Sequence, residues 1–321
     1  MKTIIYLDQS YLINLTKARL GRLPDDNDHG YVELRNLLTT AVQLNRVICP
    51  FSSFAKTESE MAPYDVEREV YETLNPLYCG VSFRSFPDVL CSQVRHALAE
   101  FLGESVNDEG WRTAFSADPH RQMRSWDPIP LGGGNFSAWT RDVKGYHERR
   151  GDDPPIGDFE AQKRFEAVEM IKQLYILPTL AFATGSSDIF WFSALDFRAD
   201  LLAAFEEHQG TSPDELEELR FLRSLNMLAV PLIDIHSSIR AGMLIYSKDR
   251  KVLGSDLQDV LALSTVLPYC DVVTTDRYMK YIITKVGLPA QYGVKVFSAA
   301  KEDVLSLAAE VAQVQSSSGA L

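Results

Sequence analysis

Two aspartates at opposite ends of the chain each stand directly after a short run of β-forming residues. Asp8 follows the run at residues 4–7, and Asp276 follows the run at residues 272–275. Runs of this kind predict buried strands that lead into helices. Parallel strands of one sheet share a carboxyl edge, so we expect both acids in the same crevice. A single strand-end aspartate is more often a helix N-cap, and it is the pair that indicates a site.

Three further acids are expected near that edge. Glu58 falls in the first turns of a helix after the second predicted strand, and Asp256 and Asp259 fall at the start of another helix. Carboxylates a few Å apart raise one another's pKa or require a cation, and hard oxygen ligands suit Mg²⁺ or Mn²⁺. Such ions activate water, so the cluster predicts hydrolytic phosphoryl transfer. Asp256 also suits an ordinary N-cap, and we rank Asp259 ahead of it as a ligand.

The elements that position these acids alternate between strands and helices at both ends of the chain, which predicts an α/β fold. Strands are predicted at residues 3–7, 46–49, 271–275 and 294–297. Helices are predicted from residue 52 or 53 and at residues 11–19, 31–45, 231–246, 255–267, 277–286 and 301–314. The middle of the chain is dominated by helix-period segments, at residues 65–77, 88–102, 159–174, 187–207 and 213–225.

The charge composition limits the kinds of partner that this chain is expected to bind. A formal charge of −12 argues against a protein that coats nucleic acid by bulk electrostatics. Residues 111–150 are the exception, because they hold seven Lys or Arg against four acids, with interleaved aromatic residues. Arg121, Arg124 and Trp126 in this stretch are candidate contacts for single-stranded RNA. The alternative, that the aromatic residues anchor a long loop to the helical core, stays open.

Membrane and zinc functions are disfavoured. Apolar stretches of about 18 residues, which could span a bilayer, do not occur, and the first residues lack the apolar core of a signal peptide. The four cysteines form no CxxC pair, and the histidines lack zinc-ligand spacing. We therefore expect a soluble, cytoplasmic protein.

Three blocks of the sequence resemble a known family. The blocks IIYLDQSYLINL (residues 4–15), VICPFSSFAKTESE (47–60) and SDLQDVLALSTVLPYCDVVTTDRYM (255–279) are similar to the signature blocks of PIN-like domains, which are metal-dependent nucleases that mostly cut RNA. They are most similar to the bacterial group that begins with an LDQ-type motif. The resemblance implies a Rossmann-like three-layer fold with a parallel sheet. It also implies four catalytic acids, namely Asp8, Glu58, Asp259 or Asp256, and Asp276, with Thr274 completing a T-x-D pattern.

The resemblance also divides the chain. It implies a PIN-like catalytic core made of residues 1–62 and 228–321, interrupted by a mainly helical insertion at residues 63–227. Besides the basic stretch, Ser10, Thr274 and Arg240 are predicted substrate contacts. Ser10 is explained equally well as a helix N-cap, and a surface salt bridge is the more ordinary role for Arg240.

The sequence thus predicts an endoribonuclease that uses Mg²⁺ or Mn²⁺ to cut single-stranded or structured RNA. Whether it forms a homodimer or has a protein regulator stays open. One alternative is a catalytically silent PIN-like module that binds nucleic acid or a protein through the insertion, but that reading predicts a broken acid set. Another alternative is a phosphatase, which would normally have a second aspartate two residues after the first, where this chain has Ser10.

Overall fold

A computed structural model gives the fold of this 321-residue chain. The structure describes residues 2–23, 29–52, 54, 64–104, 114–116, 157–184, 189–247, 250 and 252–316. For residues 176–184, 189–196 and 254 it describes the backbone and not the side chains.

The described strands are short. They are β1 (Thr3–Tyr6), β2 (Val47–Ile48), β3 (Ser82–Phe83), β4 (Phe115–Ser116), β5 (Val272–Thr275) and β6 (Lys295–Ser298). The described α-helices are α1 (Gln9–Arg19), α2 (Tyr31–Gln43), α3 (Tyr64–Tyr78), α4 (Phe86–Phe101), α5 (Phe159–Thr184), α6 (Ile189–Gln209), α7 (Glu215–Leu222), α8 (Leu225–Leu228), α9 (Pro231–Tyr246), α10 (Gly254–Val266), α11 (Arg277–Lys285), α12 (Leu288–Tyr292) and α13 (Lys301–Ser316).

Four strands form one parallel sheet in the order β2, β1, β5, β6. In its register, Ile4 lies opposite Ile48, and Tyr6 lies opposite Val273. Every residue of β5 is buried, as expected for a central parallel strand that is covered on both faces. The chain is therefore a mixed α/β protein, mostly helical, with a four-stranded parallel sheet, which confirms the predicted fold class at this level.

A hydrophobic core joins this sheet to α1, α2, α3 and α13. The helices contribute apolar residues at a spacing of three or four, which places them on one face. Examples that are fully buried are Leu12 and Leu15 of α1, Leu34 and Leu38 of α2, and Leu307 and Val311 of α13. Burial of each such side chain stabilises the fold by about 1.5–3 kcal/mol relative to exposure.

A second pairing involves β3, which runs antiparallel to β4. On its other side, β3 lies parallel to the segment that follows β2, through a bridge between Ser82 and Phe51. The Phe51 N–H donates to the carbonyl of Val81 (3.0 Å), and the Phe83 N–H donates to the carbonyl of Phe51 (2.7 Å). This bridge places β3, which with β4 forms a separate two-stranded sheet, beside the segment that follows β2.

Backbone packing divides the chain into two compact units. The sheet unit contains Met1–Ser85, Phe115–Ser125 and Val266–Leu321, and the helical unit contains Phe86–Ala114 and Trp126–Thr265. In the helical unit, α9 packs on α5, and α6 packs on α5 and α4. Within the described residues, no helix is long and apolar enough to cross a bilayer.

The packing units and the predicted functional division use different boundaries. The predicted core ends at residue 62 and resumes at residue 228, whereas α3 packs in the sheet unit and α9 in the helical unit. Because the predicted division follows a sequence resemblance and not packing, it stays a prediction.

Predicted element bounds agree with the structure within one or two residues for the strands of the parallel sheet. Most predicted helices differ by one to three residues at an end, and α5 differs most. The backbone of α5 stays helical to Thr184, past the predicted end at residue 174. Helix α1 begins at Gln9 because Asp8 caps it, and α10 begins at Gly254, just before the predicted start. The helix predicted from residue 52 or 53 and nearly all of residues 111–150 lie outside the described residues.

Candidate active site

Asp8 lies at the carboxyl end of β1 and is the N-cap of α1. Its extended backbone (φ −73°, ψ 170°) ends the strand, and its Oδ1 accepts a hydrogen bond from the Tyr11 N–H (3.1 Å). A cap of this kind satisfies one of the unpaired N–H groups at the start of a helix. The strand therefore delivers Asp8 to the sheet edge, and the cap fixes one of its two oxygens.

Asp276 repeats this arrangement at the end of β5. It is the N-cap of α11, and its Oδ1 accepts from the Met279 N–H (2.6 Å). Because β1 and β5 are neighbouring parallel strands, the two aspartates lie at the same carboxyl edge. The sequence prediction that the fold brings Asp8 and Asp276 to one edge is confirmed.

Two hydroxyl groups hold the Asp8 carboxylate. The Thr274 hydroxyl accepts from the Asp8 N–H (2.8 Å) and donates to Asp8 Oδ1 (3.2 Å). The Ser10 hydroxyl lies 3.1 Å from Oδ1 and 3.0 Å from Oδ2 of Asp8. Thr274 is fully buried, so its contact is with Asp8 and not with substrate, which corrects the substrate role predicted for it. Ser10 is not an N-cap, because Asp8 takes that position.

Burial has a large effect on Asp8. It raises the pKa of Asp8 from the ordinary value of 3.8 to about 6, against the lowering effect of hydrogen bonds from Tyr11, Ser10 and Thr274. The negative charge of Asp276 raises the pKa of Asp8 further. The two carboxylates are thus close enough to repel each other, and a bound cation would relieve both effects.

A third acid belongs to the same edge and was missed by the sequence analysis. Asp303, in the first turn of α13, accepts from the Ser298 N–H at the end of β6 (2.8 Å) and from the Ser298 hydroxyl. Lys280 Nζ lies 2.7 Å from both oxygens of Asp303. Burial acts to raise the pKa of Asp303, but the bonds from Lys280 and Ser298 lower it below the ordinary value. This acid is already paired with a cation.

Tyr11 connects Asp8, at the end of β1, with Ser298, at the end of β6. Its backbone N–H donates to Oδ1 of Asp8, and its hydroxyl donates to the Ser298 carbonyl (2.7 Å). Burial raises the pKa of the Tyr11 hydroxyl, and the charges of Asp8 and Asp303 contribute to that increase. The signal that could have found Ser298 in the sequence is the rule already used for Asp8, since β6 also ends at this edge.

Asp256 belongs to the helical unit and has a structural role. It is 2% exposed, accepts from Arg250 Nη2 at Oδ1 (2.9 Å) and accepts from the Leu253 N–H at Oδ2 (2.7 Å). Leu253 directly precedes α10, so Asp256 bonds back to the start of its helix from the first turn, as in a capping box. This corrects its predicted N-cap position and commits both of its oxygens. Asp259, three residues later on α10, is half-buried in the same unit.

Arg240 is a buried residue of the helical unit, 1% exposed. Its Nε lies 3.7 Å from Oε2 of Glu166, which is 2% exposed. Arg240 therefore forms a buried ion pair and not the surface salt bridge that was expected. Because its side chain is buried, Arg240 is also not placed to contact a phosphate, which corrects its predicted substrate role. Buried ion pairs of this kind are strongly destabilised when one partner is removed.

The remaining predicted site residues lie outside the described residues. They are Glu58, Arg121, Arg124 and Trp126. Among the residues that the structure describes, no group of three or more His, Cys, Asp or Glu side chains could hold a metal ion. The acid pair at the edge is the part of the predicted ligand set that the structure brings together.

The donor chemistry of this pair fits Mg²⁺ or Mn²⁺. Both ions prefer carboxylate oxygens and take one or two carboxylates from a protein while keeping several waters. The helix caps use Oδ1 of Asp8 and Oδ1 of Asp276. Oδ2 of each aspartate carries no capping bond and can face an ion, and on the Asp8 side that oxygen also accepts from the Ser10 hydroxyl (3.0 Å).

Comparison of the chain with family models, curated proteins and solved structures gave no match.

Proposed function

We propose that this protein is a metal-dependent nuclease that hydrolyses RNA phosphodiester bonds at the carboxyl edge of its parallel sheet. The observation that supports this most is the pair Asp8 and Asp276, two capping carboxylates on neighbouring strands; burial raises the pKa of Asp8, and the charge of Asp276 raises it further. A four-stranded parallel sheet flanked by helices is also compatible with a PIN-like fold. The resemblance of the three sequence blocks to PIN-like domains points to the same chemistry.

In this proposal Asp8 and Asp276 hold Mg²⁺ or Mn²⁺, and Glu58 and Asp259 complete the ligand set as the resemblance implies. Asp256 drops out as a ligand because Arg250 and a backbone N–H occupy both of its oxygens. When bound, the ion lowers the pKa of a water molecule and stabilises the charge on the phosphate oxygens.

The chain's own residues fix the geometry of Asp8. Thr274 bonds to both the backbone and the carboxylate of Asp8, and Ser10 bonds to its carboxylate from the first turn of α1. These contacts select one orientation of the side chain before any ligand binds. Preorganised oxygens of this kind lower the cost of assembling a charged transition state.

Support for RNA as the substrate comes from the sequence. The chain has a formal charge of −12, so binding to a polyanion needs local cations. The predicted contacts Arg121, Arg124 and Trp126 would supply two cations and a stacking surface for unpaired bases. A phosphatase remains disfavoured, because Ser10 stands where its second aspartate is expected.

The test is cleavage of matched labelled single-stranded RNA and DNA oligonucleotides with Mg²⁺, Mn²⁺ or a chelator. We expect metal-dependent cutting of the RNA, and we expect Asp8→Asn and Asp276→Asn to abolish it and to weaken Mn²⁺ binding measured by calorimetry. Asp271→Asn is the matched control. Asp271 lies at the amino end of β5, away from the acid pair, where it accepts from the Ile4 N–H (2.7 Å).

Two results would overturn the proposal. One is a wild-type protein that cuts neither nucleic acid with either ion, and the other is full activity in Asp276→Asn. A wild type that binds RNA without cutting it would instead favour the catalytically silent module.

A further inference from the structure

The carboxyl edge of the sheet extends past the acid pair on both sides. The four-stranded sheet has the order β2, β1, β5, β6, and one parallel bridge from Phe51, in the segment after β2, to Ser82 places β3 beside it on the β2 side. Asp8 and Asp276 end the two strands β1 and β5 near its centre. Residues that end β3 and β6 therefore flank the acids within the sheet unit.

A cation is fixed on the β6 side. Lys280 lies one turn into α11, the helix that Asp276 caps, and its Nζ is held 2.7 Å from both oxygens of Asp303. Asp303 is itself bonded to Ser298, the last residue of β6. The Lys280 side chain keeps 32% of its surface exposed, so its ammonium group can still meet an anion.

Another cation is on the β3 side. Arg84 directly follows β3 and is half-buried. Its Nε is buried and has no hydrogen-bond partner among the described residues. A buried donor without a partner is costly, and the guanidinium group matches the geometry of a phosphate. An anionic ligand at this end of the edge would satisfy the group.

We propose that Arg84 and Lys280 bind phosphates on the two sides of the scissile phosphodiester, so that a nucleic-acid strand lies across the sheet edge and is cut internally. This inference rests on the proposed nuclease function. Neighbouring strands are about 4.8 Å apart, so the edge from β3 to β6 measures about 19 Å. That width matches about six stacked nucleotides of one strand, which places cations upstream and downstream of the central acids.

The test uses Arg84→Gln and Lys280→Gln with a labelled single-stranded RNA. Affinity is measured by fluorescence anisotropy at rising KCl, and steady-state cleavage is measured beside it. We expect each variant to bind about tenfold more weakly and to lower the slope of log affinity against log salt by about 0.7. KM should rise more than kcat falls, and Mn²⁺ affinity should not change.

The matched control is Lys295→Gln. Lys295 pairs with Glu310 and is 57% exposed, but it lies at the amino end of β6, away from the acids. We expect wild-type RNA affinity and salt slope. In Lys280→Gln, the Asp303 carboxylate loses its cation and could itself repel RNA. The double variant Lys280→Gln/Asp303→Asn removes that negative charge. If Lys280 contacts phosphate, the double variant stays weak.

The outcomes separate this inference from the proposed function. If the wild type cuts RNA while Arg84→Gln and Lys280→Gln keep its affinity and salt slope, the flanking phosphate contacts are wrong and the nuclease stands. Full recovery of binding in Lys280→Gln/Asp303→Asn also overturns the Lys280 contact. If the wild type cuts nothing but both single variants lose affinity and slope, the phosphate contacts stand and the nuclease function is wrong.

Discussion

Replacement of Asp8 with asparagine is expected to stabilise the metal-free protein at pH 8 while abolishing cleavage. Burial and the charge of Asp276 raise the pKa of Asp8 from 3.8 to about 6, so the ionised group is disfavoured in the folded state. Asparagine is neutral at every pH and has nearly the same shape. Its carbonyl oxygen can still accept the Tyr11 N–H that caps α1. Stability and activity are therefore expected to change in opposite directions at one position.

The magnitude follows from the two pKa values. Each pH unit between them corresponds to about 1.4 kcal/mol, so ionised Asp8 lowers the free energy of unfolding by about 3 kcal/mol at most. Asp8 is half-buried, and solvent screening reduces this figure. The stronger hydrogen bonds that the ionised carboxylate accepts from Tyr11, Ser10 and Thr274 are already included in the pKa of about 6. We expect a net gain of about 1–2 kcal/mol.

The difference in stability between the wild type and Asp8→Asn is expected to depend on pH. Because folding raises the pKa of Asp8, its contribution to stability is complete below pH 3.8 and is lost as the pH rises through about 6. Asp8→Asn has no carboxyl group to ionise at this position, so it does not lose stability in this pH range. Urea unfolding in a chelating buffer should therefore show nearly equal stability at pH 4 and an increasing advantage for Asp8→Asn towards pH 8.

With metal present, the wild type should become more stable than Asp8→Asn. An ion at a hundred times its Kd stabilises the wild type by about 2.7 kcal/mol, while the variant lacks a ligand. Asp271→Asn, at the opposite end of β5, should show neither effect. The reasoning is refuted if Asp8→Asn is less stable than the wild type at pH 8 without metal, or if its gain is the same at pH 4 and pH 8.

Two further substitutions test the surroundings of the site. Thr274→Val removes the acceptor of the Asp8 N–H and a donor to its carboxylate, so it should destabilise the protein by about 1–3 kcal/mol. It should also move the acid limb of the pH profile of kcat/KM to higher pH, and an unchanged limb would contradict that. Arg240→Met leaves Glu166 buried without its ion-pair partner and should cost about 3–5 kcal/mol in urea unfolding. Arg240→Met combined with Glu166→Leu should recover most of this loss, whereas equal destabilisation in both would exclude the pair as its cause.

The burial of Arg240 is consistent with the sequence pattern of α9. Eleven of the sixteen residues of α9 are buried, including Asp234 and Ser237. A helix that is apolar around most of its circumference is a core helix, and that pattern is visible in residues 231–243. The sequence therefore contained the information that Arg240 is internal. It did not contain the partner, because Glu166 comes from a distant helix through tertiary packing.

The acid pair was predictable and Asp303 was not, for a related reason. Strand ends that carry an aspartate can be found by a local pattern, and one topological rule then brings Asp8 and Asp276 together. Asp303 lies five residues after the end of β6, and its place at the edge depends on the bonds that it accepts from Ser298 and Lys280. Those bonds exist only after α13 has packed. Acids at this distance from a strand end have no local signature.

The capping role of Asp8 does not compete with its proposed catalytic role. In the sequence, an N-cap and a metal ligand are alternative explanations for a strand-end aspartate. In the structure, Oδ1 of Asp8 and Oδ1 of Asp276 accept the capping N–H groups, so Oδ2 of each carries no capping bond; Oδ2 of Asp8 accepts only from the Ser10 hydroxyl among the described residues. The cap also points the carboxylate outward at the end of the strand and limits its rotation. In the proposed site, the two helix caps on neighbouring parallel strands would preorganise two oxygens for one cation, so the ordinary role is compatible with the proposed chemical one.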